Sequence, residues 1–321
     1  MSDNRTIFKK AADAVYPVVR YIRYKKNTHS VSPVDLFHLQ NKDGLFVHPD
    51  FIIRYLFIEE YFGKNTSDTN GIDLYKKMQD FRRKDSNGDE MTERFINVIQ
   101  SYQQNGHLTA HPIRVDRSFL IRDGSHRTAA ALYLDLPEIT VHHTKIDLPV
   151  NRKLAVFEEN GFTAEELQLV NDKTQQLLDK YNHPLNIILL GPAAEYAEDV
   201  KNQLSSFGQV ISCESVKCSV SDLFKLHTNI TGTDNKNFSI HKPSLKPYRK
   251  EYATIRIIVK NPEVVIDSNH PKPVLKQSAL IKDCICGIIG DKINASGQFV
   301  YVPSNYGQND KIFGFISQLH K

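Results

Sequence analysis

The chain has 321 residues, with 41 Lys and Arg against 37 Asp and Glu, a net charge of +4 and no Trp. That length suffices for two domains, each burying its own core, and so small a surplus of positive charge excludes a protein that coats nucleic acid by charge alone. Residues 1–25 are interrupted by charge throughout and no apolar run is long enough to span a bilayer, so the expectation is a cytoplasmic chain with neither signal peptide nor transmembrane segment.

Residues 6–26 carry Ile7, Phe8, Ala11, Ala12, Val15, Val19 and Ile22 at helical spacing, with Pro17 set to kink the helix. Tyr16, Tyr21 and Tyr24 beside Arg20, Arg23, Lys25 and Lys26 would allow peripheral membrane contact, but a docking helix is the preferred reading. Ser32-Pro33 is a helix cap followed by the favoured first-turn proline. Phe51 to Phe62 reads as a core helix, residues 65–71 as a loop, and Ile72 to Arg83 as a helix that ends in the polar turn Asp85-Ser86-Asn87-Gly88. That turn lacks the later acidic ligands of a calcium loop. Met91 to Tyr102 is a further helical stretch, closed by Asn105-Gly106.

The central stretch is Pro112 to His143. Two β-branched runs, Ile113 to Val115 and Phe119 to Ile121, flank Asp116-Arg117-Ser118 and read as a hairpin. Asp123-Gly124 breaks the second run, Ser125 to Leu134 turns helical, and Ile139 to His142 is a third strand. A helix start offers N–H groups with no intrahelical partner and the positive end of the helix dipole. Gly124 permits close approach to that backbone, while His126 and Arg127 add positive charge where the dipole disfavours it. An anion resolves the conflict, and phosphate is the usual one; the competing reading is a plain turn with an exposed His and Arg.

Beyond Val150, one long polar helix from Ala164 to Tyr181 reads as a connector, with neither a second recognition helix nor a basic stripe to read DNA. Asn186 to Leu190 is a buried-strand run; Gly191-Pro192, a helix from Ala193 to Phe207 and a strand from Val210 to Cys213 complete a β-α-β unit of the parallel kind. Strands are expected at Thr254 to Val259 and Phe299 to Val302. Helices are expected near Ser221 to Lys225, Val274 to Ile293 and Lys311 to Leu319. The Gly191-Pro192-Ala193-Ala194 turn has neither the dinucleotide glycines nor the Lys-Ser/Thr of a P-loop. Residues 235–256 carry Lys236, His241, Lys242, Lys246, Arg249 and Lys250 on a proline-containing loop, read as solvated rather than as a seat for an acidic substrate. Cys213, Cys218, Cys284 and Cys286 lack metal-site spacing and read as reduced, mostly buried thiols.

Asp-Gly-Ser-His-Arg followed by Thr-Ala-Ala, between a Pro-Ile-x-Val strand and an Ile-x-Val strand and after a glycine-terminated helix, resembles the ParB/sulfiredoxin superfamily over residues 71–145. The resemblance implies an α+β ParB/sulfiredoxin-like N-terminal domain with extra helices over 1–150; the pattern of elements beyond it adds a helical connector over 151–184 and a three-layer α/β domain over 185–321, so the expected class is α/β. The resemblance also implies a nucleotide whose phosphates are held by Asp123, Gly124, Ser125, His126, Arg127 and Thr128. Sulfiredoxins carry a catalytic Cys where Ser125 stands, so their repair chemistry has no nucleophile here.

The Asp-Gly-x-His-Arg form is nearest to the free serine kinases of that superfamily. It implies phosphoryl transfer from ATP or ADP, with Mg2+, to a hydroxyl of a small molecule or glycan precursor. In those kinases a carboxylate upstream of the glycine-terminated helix acts as base; Asp80, with Arg82 and Arg83 beside it, is the best positional match, and Asp85 and Glu93 are its rivals. Their characteristic His-Glu pair is absent. The alternative is a nucleotide-gated binding protein that transfers nothing. No specific nucleic-acid partner is expected.

Overall fold

The computed structural model describes residues 27–42, 45–63, 70–82, 88–107, 111–144, 154–217, 219, 251–266, 272–290, 293 and 299–319. The helices expected at 6–26 and 221–225, the turn around Asp85 and the basic stretch 235–250 lie outside them. The described residues form an α/β protein with helices and mixed sheets, divided into two compact units, Met1–Thr174 and Gln175–Lys321. Among them, no helix is long and apolar enough to cross a membrane.

The first unit begins with β1 (Thr28–Val31) and α1 (Pro33–His38), whose start is capped as expected: the Ser32 hydroxyl accepts from the Val34 N–H at 3.2 Å. The short hairpin β2 (Asn41–Lys42) and β3 (Leu45–Phe46) leads into α2 (Pro49–Tyr61). Phe51, Ile52, Ile53, Tyr55, Leu56, Phe57 and Ile58 are all buried, so α2 is enclosed on every side over these residues and forms the axis of the core. Against it pack α3 (Gly71–Arg82) and, through the buried stripe Met91, Phe95, Ile99 and Tyr102, α4 (Gly88–Asn105). The sheet has the order β1-β6-β4-β5, from β4 (Ile113–Val115), β5 (Ile121–Asp123) and β6 (Ile139–His143), with β4 and β6 parallel and the other pairs antiparallel. Between β5 and β6 runs α5 (Ser125–Tyr133), its Ala129, Ala130, Ala131 and Leu132 buried.

Two expectations are corrected in this unit. The second hairpin strand is Ile121–Asp123, two residues later than the β-branched run suggests. The buried Asp116 carboxylate accepts the N–H groups of Ser118 and Leu120, both at 2.9 Å, and Phe119 takes a left-handed φ of 60°. A side-chain-stabilised turn thus consumes residues that alternation assigns to the strand. The polar connector, too, is docked: α6 (Leu154–Glu159) and α7 (Ala164–Lys180) bring Phe157 and Phe162 edge-on to Phe81, and Glu166 pairs with Lys77 at 2.6 Å. Three aromatic rings outweigh the polarity of the rest, and the boundary falls within α7 at Thr174 rather than before it.

The second unit is built on β7 (Leu185–Leu190), buried at every position. A 3-10 turn over Gly191–Tyr196 and α8 (Ala197–Leu204) lead to β8 (Gly208–Lys217), followed by β9 (Glu251–Val259). The small pair β10 (Val264–Ile266) and β11 (Pro273–Leu275) precedes α9 (Lys276–Gly290), β12 (Val300–Tyr301) and α10 (Tyr306–Leu319). The order β12-β7-β9-β8 is antiparallel throughout. β7 and β8 do run in the same direction, as the β-α-β reading expects, but β9 lies between them and replaces their parallel pairing. Asn186 and Arg256 are cross-strand partners and meet Asn309 and Phe313 of α10, whereas Cys213, opposite Ile255, meets Ala197 of α8. Helices therefore cover both faces of this sheet.

Candidate functional site

Gly124 opens α5 in the left-handed region, with φ 95°, and no side chain caps the helix start. A Cβ at Gly124 would lie 2.8 Å from Ile113 Cδ1 and 3.0 Å from Arg127 Nη2, so conformation and space both require glycine. Arg127 leans back over this glycine. Its Nη1 donates to the carbonyls of His111 and, at 3.2 Å, Pro112, and its Nη2 stands 3.4 Å from the Asp123 carboxylate.

Carbonyls orient a guanidinium without neutralising it. The carboxylate beside Arg127 is 61 % exposed, so water screens much of their attraction. A positioned cation thus stands beside an uncapped helix start. Arg127 also ties α5 to the lead-in of β4, which gives it a larger share in the fold than a first-turn Arg is expected to have.

The other members of the turn divide sharply. His126 turns inward: its Nε2 hydrogen-bonds with the Tyr75 hydroxyl at 2.8 Å, and its ring packs edge-on against Phe95 at 4.5 Å. It fastens α5 to α3 and α4. Thr128 is fully buried and its hydroxyl donates to the Gly124 carbonyl at 3.1 Å, while Ser125 is also buried. The face offered to a ligand therefore consists of the Gly124 backbone, Asp123 and Arg127.

Along Arg127 runs a cleft of about 440 Å3, lined by Asn97, Val98, Ser101 and Tyr102 of α4 together with His111 and Arg127. Composition hides these α4 residues, which look like an ordinary helix surface. Their i,i+4 spacing, Asn97 with Ser101 and Val98 with Tyr102, is that of any helix surface and marks no cleft by itself. Behind the cleft the Tyr102 hydroxyl hydrogen-bonds with His107 Nδ1 at 2.8 Å.

Burial pushes the Tyr102 phenol up to about 12, against a smaller opposing pull from Arg127. Burial first, and then the Arg127 charge, push His107 down to about 4. Both groups are neutral near pH 7. Because the folded state resists protonating His107, its contribution is full above the unfolded value near 6.5 and is lost as pH falls through 4. With a discount for partial exposure, that loss should be on the order of 1 kcal/mol. Denaturant titrations between pH 7 and 4 should show a shallower decline for His107→Gln than for the wild type. Equal slopes would contradict this assignment.

Asp80 does not join the turn. It is exposed on α3 beside Lys76, and a Cβ at Gly88 would lie 3.1 Å from its Oδ1. Five residues separate it from Tyr75, about 140° around the helix, so it faces away from the side that reaches His126. Its expected companion Arg82 pairs instead with buried Asp50 at 3.1 Å. Glu93 is exposed on α4, one turn before Asn97. Comparison with models of protein families, with curated proteins and with solved structures finds no match for this chain.

Proposed function

We propose that the first unit seats the phosphates of a nucleotide on the start of α5, and that the chain is a kinase. It would move phosphate from ATP or ADP to a hydroxyl of a small molecule or glycan precursor in the cytoplasm. The observation that supports the reading is the uncapped, left-handed start of α5 with Arg127 held above it by backbone carbonyls. Helix-start N–H groups, a close-approach glycine and a preorganised guanidinium together make a phosphate seat. The resemblance to the ParB/sulfiredoxin superfamily supports the nucleotide.

Magnesium fits this site as a companion of the nucleotide. Asp123 offers one exposed carboxylate, and no group of three or more His, Cys, Asp or Glu among the described residues is placed to hold the ion alone. When bound it supplies charge neutralisation on the phosphate oxygens. With the ion carried on the nucleotide's phosphates, Asp123 is the carboxylate left at the turn to act as base. Asp123→Asn should lower turnover about a hundredfold, while Asp80→Asn should stay within about threefold of wild type. Steady-state assays of both variants, with Glu93→Gln alongside, decide between them. A collapse confined to Asp80→Asn would make Asp80 the base instead.

Arg127→Ala should cost about 2 kcal/mol or more of nucleotide affinity, together with about 1 kcal/mol of stability from the lost bonds to His111 and Pro112. Calorimetric titration and denaturant unfolding measure the two separately. Unchanged affinity in the folded variant contradicts the seat. The second reading, a nucleotide-gated binding protein, is favoured by the orientation of Asp80 away from the turn. Tight binding without turnover on any hydroxyl acceptor would select it.

A further inference from the structure

We infer that the face of the second sheet beneath α10 carries a carboxylate-binding site, with Arg256 as its cation and the Phe313 ring as the seat for an apolar body attached to the acid. Arg256 stands in the middle of β9, a strand flanked by β7 and β8, and shares its row with Asn186 on one side and Ser212 on the other. Helix α10 runs over this row. Asn186 donates its backbone and side-chain N–H groups to Asn309 Oδ1, and Phe313, one turn further on, lies 5.3 Å from the guanidinium carbon of Arg256. A half-buried guanidinium on a central strand is costly unless an anion answers it. Among the described residues no carboxylate pairs with it: Glu214, two residues beyond Ser212 on the same face of β8, is exposed to water, and Asp310 of α10 pairs with His183 at 3.8 Å. The Arg256 Nε and the hydroxyl of its cross-strand neighbour Ser212 are both buried, and neither hydrogen-bonds to another group of the protein. Two neighbouring donors, one of them charged, thus go unanswered beside an Asn186 that is bonded to Asn309.

Charge and shape select the ligand. Contact with the Phe313 ring holds the guanidinium in place and leaves its N–H edge for two coplanar acceptors. The row Asn186, Arg256, Ser212 carries a single positive charge. A carboxylate, with one negative charge and two coplanar oxygens, is matched there, whereas a phosphate dianion would keep a charge uncompensated. Phe313 is 45 % exposed, so the site opens to solvent beside an apolar ring, and a turn of that ring uncovers Nε. A small carboxylate bearing a ring or an alkyl body satisfies all of these features.

The test follows the Arg256 Nε–H resonance of the full chain by NMR, identified by its loss in Arg256→Lys, during titration with benzoate, acetate, inorganic phosphate and chloride at constant ionic strength. Benzoate should shift it saturably and bind about threefold or more tightly than acetate, while phosphate and chloride give no saturable shift. Ser212→Ala should weaken benzoate about fivefold through the lost hydroxyl. Phe313→Leu, at an exposed position, should remove the advantage of benzoate over acetate. No saturation by about 50 mM benzoate, tighter binding of phosphate than of either carboxylate, or unchanged benzoate affinity in both variants overturns the site. So does a Glu214→Gln protein whose resonance moves, without added acid, as far as saturating benzoate moves it in the wild type, because Glu214 would then be the anion that Arg256 meets.

Discussion

Asp50→Ala should lower the unfolding free energy by about 3–5 kcal/mol. Asp50 is fully buried at the start of α2 and binds two guanidinium groups, Arg54 one turn later at 2.9 Å and Arg82 of α3 at 3.1 Å. Arg54 is only 3 % exposed, so removing the carboxylate strands a cation in the core. A buried pair gains little over an apolar replacement, but breaking one from a single side leaves an uncompensated charge. Against a usual net stability of about 5–15 kcal/mol, such a loss takes a large share of the whole. Urea unfolding measures it. The double variant Asp50→Ala/Arg54→Met should recover part of the loss, and a loss below about 1 kcal/mol in the single variant would contradict the account.

Gly71→Ala comes second. A Cβ at the first residue of α3 would lie 2.5 Å from both the carbonyl carbon and the oxygen of Leu56, and 2.8 Å from the Phe57 nitrogen. These are backbone atoms of α2, so no side-chain rotation relieves the clash, and α3 must move. Overpacking of this kind costs about 1–3 kcal/mol, and the backbone contact places this case at the upper end. The shift also reaches the site, because Tyr75 of α3 holds His126 at 2.8 Å. Gly71→Ala should therefore weaken nucleotide binding as well as the fold. A variant with wild-type stability would mean that α2 and α3 separate without cost.

How much of this was legible in the sequence follows from where each determinant sits. The Ser32 cap, the Gly124 turn and the helix after it depend on neighbours a few residues away, and local chemistry specifies them. The shifted β5 depends on a carboxylate that folds back on its own turn, which alternation cannot register. The docking of α6 depends on rings brought together across the chain, from Phe81 to Phe157 and Phe162. The order of the second sheet depends on β9, which arrives more than thirty residues after β8 and enters between strands already described.

The site divides in the same way. Gly124 and Arg127 are readable because a helix start dictates what surrounds it. Asn97 and Ser101 are not, because only the tertiary approach of His111 and Arg127 turns a helix surface into a cleft wall. The inward turn of His126 is likewise a tertiary fact, set by the Tyr75 hydroxyl and the Phe95 ring.

The phosphate seat is tested most directly by amide NMR of the labelled chain during titration with magnesium ATP. The account predicts saturable shifts that are largest at the amides of Gly124, Ser125, His126 and Arg127. Saturable binding that leaves the 124–127 amides unmoved, or no binding at millimolar nucleotide, would contradict it.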